Sequence, residues 1–435
     1  MQLRKLSVLL LALLLAAMVM VSCVSADERS ADDISNSEEP IRISGATSDI
    51  IEKNYVPIKT AREHATITLL EFISKGLVDE EWRGGTIDPK PTIIYDTNGK
   101  KLFYQFAVVK NGRVIGEIKT AVSKVVGISV ISIGSSDSKL VLENFDSQIK
   151  RVMDDRYKSY NVVSKKFLAY SYPKIGILIQ IEKPDKSDTK EIIIDAYSFE
   201  LISDNKVLID TDSGIISFYK QMDKLSIDER IADWDRENQY ISGLQQKIQS
   251  LGMDLSDAHI MENDLTISQI QNVFSSRAVE SGQISGFTTS GQVRTNINYC
   301  SIATAQMISK KYNVDRTQDD IAQKMSAYPN GGPTADNEQA YYRNYLSFPT
   351  ATYRMGFPGY NKIKSEINAG RPLKIGLNGH SKALFGYMHS FDTGFNYYKF
   401  SDPRYHHTDP QDYHPEHQYW ERELGYQTYL ILIFP

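Results

Sequence analysis

An α+β fold is predicted: two helix-then-antiparallel-sheet units in the N-terminal half, then a C-terminal domain of helix plus antiparallel sheet. Three observations predict it. β-Branched and aromatic runs recur at Pro91–Tyr95, Lys101–Val109, Arg113–Val122 and Gly127–Ile133, the composition of strands. Asn98-Gly99 and Asn111-Gly112 fall between these runs, and Asn-Gly is the strongest short-range hairpin signal. Ahead of them, Ala61, Ala65, Thr68, Leu69, Phe72 and Ile73 recur at helical spacing over Lys59–Leu77, with Gly76 as the stop.

The pattern then repeats. Leu142–Tyr157 is helical in period and is followed by the strand-like runs Lys166–Tyr172, Ile175–Ile181 and Glu191–Phe199. Two units are expected, about 48–135 and 136–214. Ile227, Ile231, Trp234, Ile241, Leu244 and Ile248 put an apolar stripe on an otherwise polar stretch, read as a helical connector and linker over 215–280. Ser, Gly and Thr accumulate between Ser275 and Gln292, so the boundary to a C-terminal domain at 281–435 is placed there, as a loose, nickable segment.

At the N-terminus, Arg4 and Lys5 precede an apolar run from Val8 to Val21, with small residues at Ser22, Ser25 and Ala26. This reads as a secretory signal peptide, 1–26. Val21-Ser22-Cys23 partly resembles a lipobox, which would make Cys23 a lipidated surface anchor; as an uncleaved membrane span the run is short. Residues 27–47, rich in Ser, Asp and Glu, read as a disordered tether. The 49 basic and 54 acidic residues leave an acidic excess that grows once Arg4 and Lys5 go with the leader. Nothing recommends a nucleic-acid partner, which calls for a basic patch, and no integral membrane domain is expected after cleavage.

Cleavage also removes one of the two cysteines and leaves Cys300. A lone thiol in an exported protein has no disulfide partner, so its candidate roles are a small core hydrophobe or a nucleophile. Ile302, Ala305, Ile308 and Tyr312 follow on one helical face, which places Cys300 at a helix start, where unpaired N–H groups and the helix dipole favour a thiolate. Thr317–Asp320 announces a second helix and Tyr360–Ala369, ended by Gly370, a third. The strand Leu373–Leu377 delivers Gly379-His380, the run Ala383–Met388 is a second strand, and Tyr397–Ser401 runs into Asp402-Pro403. The order Cys, helix, then His and Asp on adjacent strands is a thiol-peptidase constellation.

Tyr299-Cys300-Ser301-Ile302-Ala303 with Gln306-Met307, Gly379-His380 with Gly386-Tyr387, and Ser401-Asp402-Pro403 together resemble the papain-like cysteine peptidases. The similarity, over about 290–435, is to the subgroup like the bacteriocin-leader-processing peptidases. It implies a papain-like domain, no cofactor, and a peptide or protein substrate. Cys300 would be the nucleophile, His380 the general base and acid, and Asp402 the orienter. Members commonly carry Gly where Ser301 stands, and a Gln about six residues before the nucleophile lines the oxyanion hole. Gln292, eight residues before Cys300, takes that role here, with Asn296 and Asn298 as alternatives. Separately, Ile194–Glu200 resembles the closing strand of PepSY-type modules and of streptopain-like propeptides, which implies intramolecular inhibition by the N-terminal region, a zymogen. A generic α+β binding module is the other reading of that region.

Rivals for these roles are His389, read as a surface or loop histidine after the strand, and Asp392, expected in the turn Asp392–Asn396. His406, His407, Asp409, Asp412, His414, Glu416 and His417 form a possible zinc ligand set, but Pro403, Pro410 and Pro415 interrupt them, so no metal is assigned. The expected protein is a secreted or surface cysteine peptidase; a non-catalytic adhesion scaffold, and amidase or transpeptidase chemistry with the same residues, are the alternatives.

Overall fold

The Asn111-Gly112 hairpin forms as its residues dictate, with φ of 51° and 76° at the two central positions and Lys110 facing Arg113 across the turn. The computed structural model describes residues 45–203, 215–222, 226–252, 268–269, 272–274, 279–294, 299–327, 333–377, 380–403, 418–423 and 429–432. The leader, most of the tether, Cys23, Asn296, Asn298, Gly379 and the His406–His417 cluster lie outside the described residues. Helix α1 (Gly45–Lys53) begins within the last residues of the expected tether.

The first unit comprises α2 (Ile58–Ser74) and strands β1 (Thr86–Ile87), β2 (Thr92–Asp96), β3 (Lys101–Lys110), β4 (Arg113–Ala121) and β5 (Val130–Ser135). The second comprises α3 (Asp146–Arg156), β6 (Asn161–Ser171), β7 (Lys174–Glu182), β8 (Thr189–Asp195) and β9 (Leu201–Ser203). Each is a helix followed by an antiparallel meander, and a parallel β2–β6 pairing joins them. β8 stops at Asp195, short of the expected Phe199. The Asp195 carboxylate accepts the Tyr197 and Ser198 N–H groups and the Tyr170 hydroxyl, so the chain turns there as an Asx turn.

Helices α4 (Phe218–Gln221) and α5 (Ile227–Ser250) follow. The α5 stripe is no mere connector, because Trp234, Ile241, Leu244 and Ile248 are buried in one core with Phe72 and Phe106 of the first unit and Met388, Tyr397 and Trp420 of the C-terminal part. The loose linker also requires correction. β10 (Val279–Gln283) is a strand paired to β13 (His380–Ser390), and Ile284 and Phe287 are buried after it. Its glycine serves packing rather than flexibility: a Cβ on Gly282 would meet the Tyr387 ring at 2.8 Å.

The C-terminal part continues with α6 (Tyr299–Lys311), α7 (Gln318–Lys324), α8 (Ala335–Tyr345), β11 (Thr352–Met355), α9 (Tyr360–Asn368), β12 (Leu373–Leu377), β13, β14 (Phe395–Ser401), β15 (Gln418–Arg422) and β16 (Tyr429–Leu432). Thr317 caps α7 through the Asp320 N–H. Among the described residues all strands belong to one sheet, in the order β11-β16-β12-β13-β14-β15-β5-β4-β3-β2-β6-β7-β8-β9. The N-terminal sheet therefore joins the C-terminal one edge to edge, where Tyr419, Trp420 and Glu421 face Gly134, Ile133 and Ser132. The Trp420 indole donates to the Leu77 carbonyl across the same seam, and Arg422 of β15 pairs with Glu237 of α5. No helix among the described residues is long and apolar enough to cross a membrane.

Candidate active site

Helix α6 is buried from Tyr299 to Ser309 because it packs against β12 and β13 on one side and α7 on another. Cys300 is its second residue, 2% exposed, among the first-turn N–H groups that have no intrahelical acceptor. His380 opens β13 opposite Leu377, and Ser401, which ends β14, pairs with Ala383 of β13. That register brings Asp402 alongside His380, and His380 Nε2 meets Asp402 Oδ1 at 2.7 Å with both side chains buried. The other ring nitrogen, Nδ1, is buried and makes no other hydrogen bond among the described residues, and Cys300 lies close enough to the ring for each to shift the other's titration.

The electrostatics follow from this contact. Burial pushes the Cys300 thiol up, but the hydrogen bond and charge of His380, then the cations Lys174 and Lys374, outweigh it and lower its pKa. Burial likewise pushes His380 down, and the charge and hydrogen bond of Asp402, with the Cys300 sulfur, reverse that and raise it to about 9. Both shifts favour a thiolate–imidazolium pair. Lys174 comes from the β6–β7 hairpin of the second N-terminal unit, as does Tyr170, whose hydroxyl is pushed well up by burial, by Asp195 and, among lesser causes, by Cys300.

Neighbouring hydroxyls brace the pair. Ser301 Oγ lies 2.9 Å from Ser381 Oγ, joining the residue after the thiol to the residue after the imidazole; a glycine at 301 has no such link to make. Ser401, just before Asp402, shares a 2.8 Å hydrogen bond with Thr289. Gln292 is half-buried, and the described contacts fix the backbone on either side of it. Gln318 donates to the Gly291 carbonyl at 2.7 Å and accepts the Val293 N–H at 3.0 Å. Gln318 in turn donates to Gln306 on the helix that carries Cys300.

His389 requires a correction, since it lies within β13 rather than in a loop. Its Nδ1 meets Asn396 Oδ1 at 2.8 Å, and it lies nine positions along the strand from His380, a span of about 30 Å. Asp392 sits in the turn just beyond. Two further polar residues near Asp402 escaped the sequence reading. The Tyr419 hydroxyl donates to Asp402 Oδ2 at 3.2 Å, and Lys382, fully buried, pairs with the equally buried Glu421. β15 offers no apolar–polar alternation to find it by, since Tyr419, Trp420, Glu421 and Arg422 are all buried.

Residues 283–428 match the model of the Peptidase_C39 like family, and the match supports a peptidase of the cysteine type. No curated protein matches the chain.

Proposed function

We propose that this is a secreted cysteine peptidase that hydrolyses peptide bonds through Cys300, His380 and Asp402 on a papain-like domain. The observation that carries the reading is the buried 2.7 Å contact of His380 Nε2 with Asp402, beside a thiol at a helix start. In the resting site His380 Nδ1 already holds the Sγ proton; the thiolate attacks the scissile carbonyl carbon while Asp402 holds the imidazolium. The oxyanion is met by N–H groups at the α6 start and by the Gln292 amide. The imidazolium then protonates the leaving nitrogen as the C–N bond breaks, leaving a thioester. Water, deprotonated by His380, attacks that thioester, and the C–S bond breaks to restore the thiol and release the acid.

The N-terminal region restrains this site in place. Support comes from the near-complete burial of Cys300 and from the electrostatic reach of Lys174 and Tyr170 to it. The strand addition seen is β5 onto β15, which ties the N-terminal region to the peptidase domain through the sheet, so cutting the chain between 252 and 279 does not by itself free the peptidase.

With an unfolded protein as substrate, Cys300→Ala should abolish the residual hydrolysis that the restrained full chain retains, and a chelator should leave that residual rate of the unaltered chain unchanged. Hydrolysis retained by Cys300→Ala would sink the cysteine mechanism. Loss on chelation would move the chemistry to the His406–His417 cluster.

A further inference from the structure

We infer that Tyr419 is a positioning residue for Asp402, holding the carboxylate in the orientation in which it serves His380. The inference rests on the proposed role of Asp402. The two carboxylate oxygens are divided between two donors: Oδ1 faces His380 Nε2 at 2.7 Å and Oδ2 accepts the Tyr419 hydroxyl at 3.2 Å. A carboxylate held at one oxygen is free to swing about its terminal torsion, which is broad and soft. A donor on each oxygen fixes its plane.

Tyr419 is itself held by Lys382, by the Phe400 ring and by Gly134 of β5. Lys382 Nζ donates to its oxygen at 3.4 Å, which commits the phenolic proton to Asp402 and polarises the hydroxyl. Lys382 lies 3.8 Å from the centre of the Phe400 ring and is neutralised by Glu421 on the same strand as Tyr419. Among the described residues the titratable groups about Asp402 include His380 and Tyr419 and, through Tyr419, Lys382 of β13 with its partner Glu421 of β15. On the outer side Tyr419 faces Gly134 of β5, and a Cβ at 134 would come within 2.4 Å of the Tyr419 Cβ. Close approach of the N-terminal strand therefore sets the backbone from which the hydroxyl reaches. Without β5, β15 would be the edge of the C-terminal sheet, with unpaired backbone groups.

The test is the rate at which iodoacetamide labels Cys300 in the full chain as a function of pH, with the label located by mass spectrometry. Tyr419→Phe keeps the ring and its packing on Phe400 and deletes only the donor. It should move the midpoint of thiolate formation upward by about one pH unit, the scale of one hydrogen bond to a charged group. Tyr398→Phe is the control: that buried tyrosine, in the adjacent strand, donates to Glu423 at 3.0 Å, and its loss should leave the midpoint unchanged. A midpoint that is low in the unaltered chain and stays there in Tyr419→Phe overturns this inference alone, as does an equal shift in Tyr398→Phe. An ordinary thiol midpoint in the unaltered chain overturns the underlying pairing of Cys300 with His380, and this inference with it.

Discussion

Replacing His380 with alanine should lower peptide hydrolysis by about three to six orders of magnitude, and replacing Asp402 with asparagine by less. The imidazole takes the thiol proton, protonates the leaving amine and activates water, so its removal stops every proton transfer in the cycle. Asp402→Asn keeps a group of the same shape at 2.7 Å from Nε2 but removes the charge that holds the imidazolium. Because these residues act as a unit, the double variant should be no worse than His380→Ala alone. His389→Ala should be nearly neutral, since that ring meets Asn396 at the far end of β13. Steady-state rates on one unfolded substrate check all four. A larger loss in His389→Ala than in His380→Ala would reverse the assignment.

The second large effect concerns stability. Glu237→Ala should cost about 3–5 kcal/mol, because it leaves a buried guanidinium uncompensated, a large share of the 5–15 kcal/mol by which domains are typically stable. Glu237 Oε1 accepts from Arg422 Nη1 at 2.8 Å, and its Oε2 accepts the Ser129 N–H at 2.9 Å. One carboxylate thus ties α5, the turn before β5 and β15 together, with both ionic side chains buried. Asp154→Ala, which breaks the exposed Lys150–Asp154 pair, should barely move the urea midpoint. Glu237→Ala should move it far, and a shift as small as that of Asp154→Ala would mean the seam is not a structural joint.

Much of the local structure was legible in the sequence. The Asn-Gly turns, the α2 and α9 periodicities with Gly76 and Gly370 after them, and the Thr317 cap are local signals, and each appears in the structure. The spacing that brings His380 and Asp402 onto adjacent strands was readable for the same reason, because β12, β13 and β14 are consecutive hairpin partners. β15 was hidden because Glu421 and Arg422 look like loop residues; both are buried and paired, with Lys382 and Glu237. Helix α8 was hidden because its buried face is carried by Glu338, Tyr341 and Tyr342, and Glu338 is neutralised by the buried Lys374 of β12. The β5–β15 seam left no local trace at all. It joins Gly134 to Tyr419, and pairing between such distant residues is decided by tertiary packing.

The central claim, that Cys300 is the activated nucleophile, is tested most directly by iodoacetamide labelling of the unaltered chain across pH, with residual hydrolysis measured on the same samples. His380 holds its proton up to about 9 and favours the thiolate beside it, so the labelling midpoint should lie below the ordinary thiol value of about 8.5. Activity should fall in proportion to label on Cys300. Hydrolysis should decline as pH rises through about 9, where the imidazolium is lost, and in His380→Ala the labelling midpoint should return to the ordinary thiol range or above it. Full labelling of Cys300 with hydrolysis intact, or labelling only above the ordinary thiol value, would contradict the account.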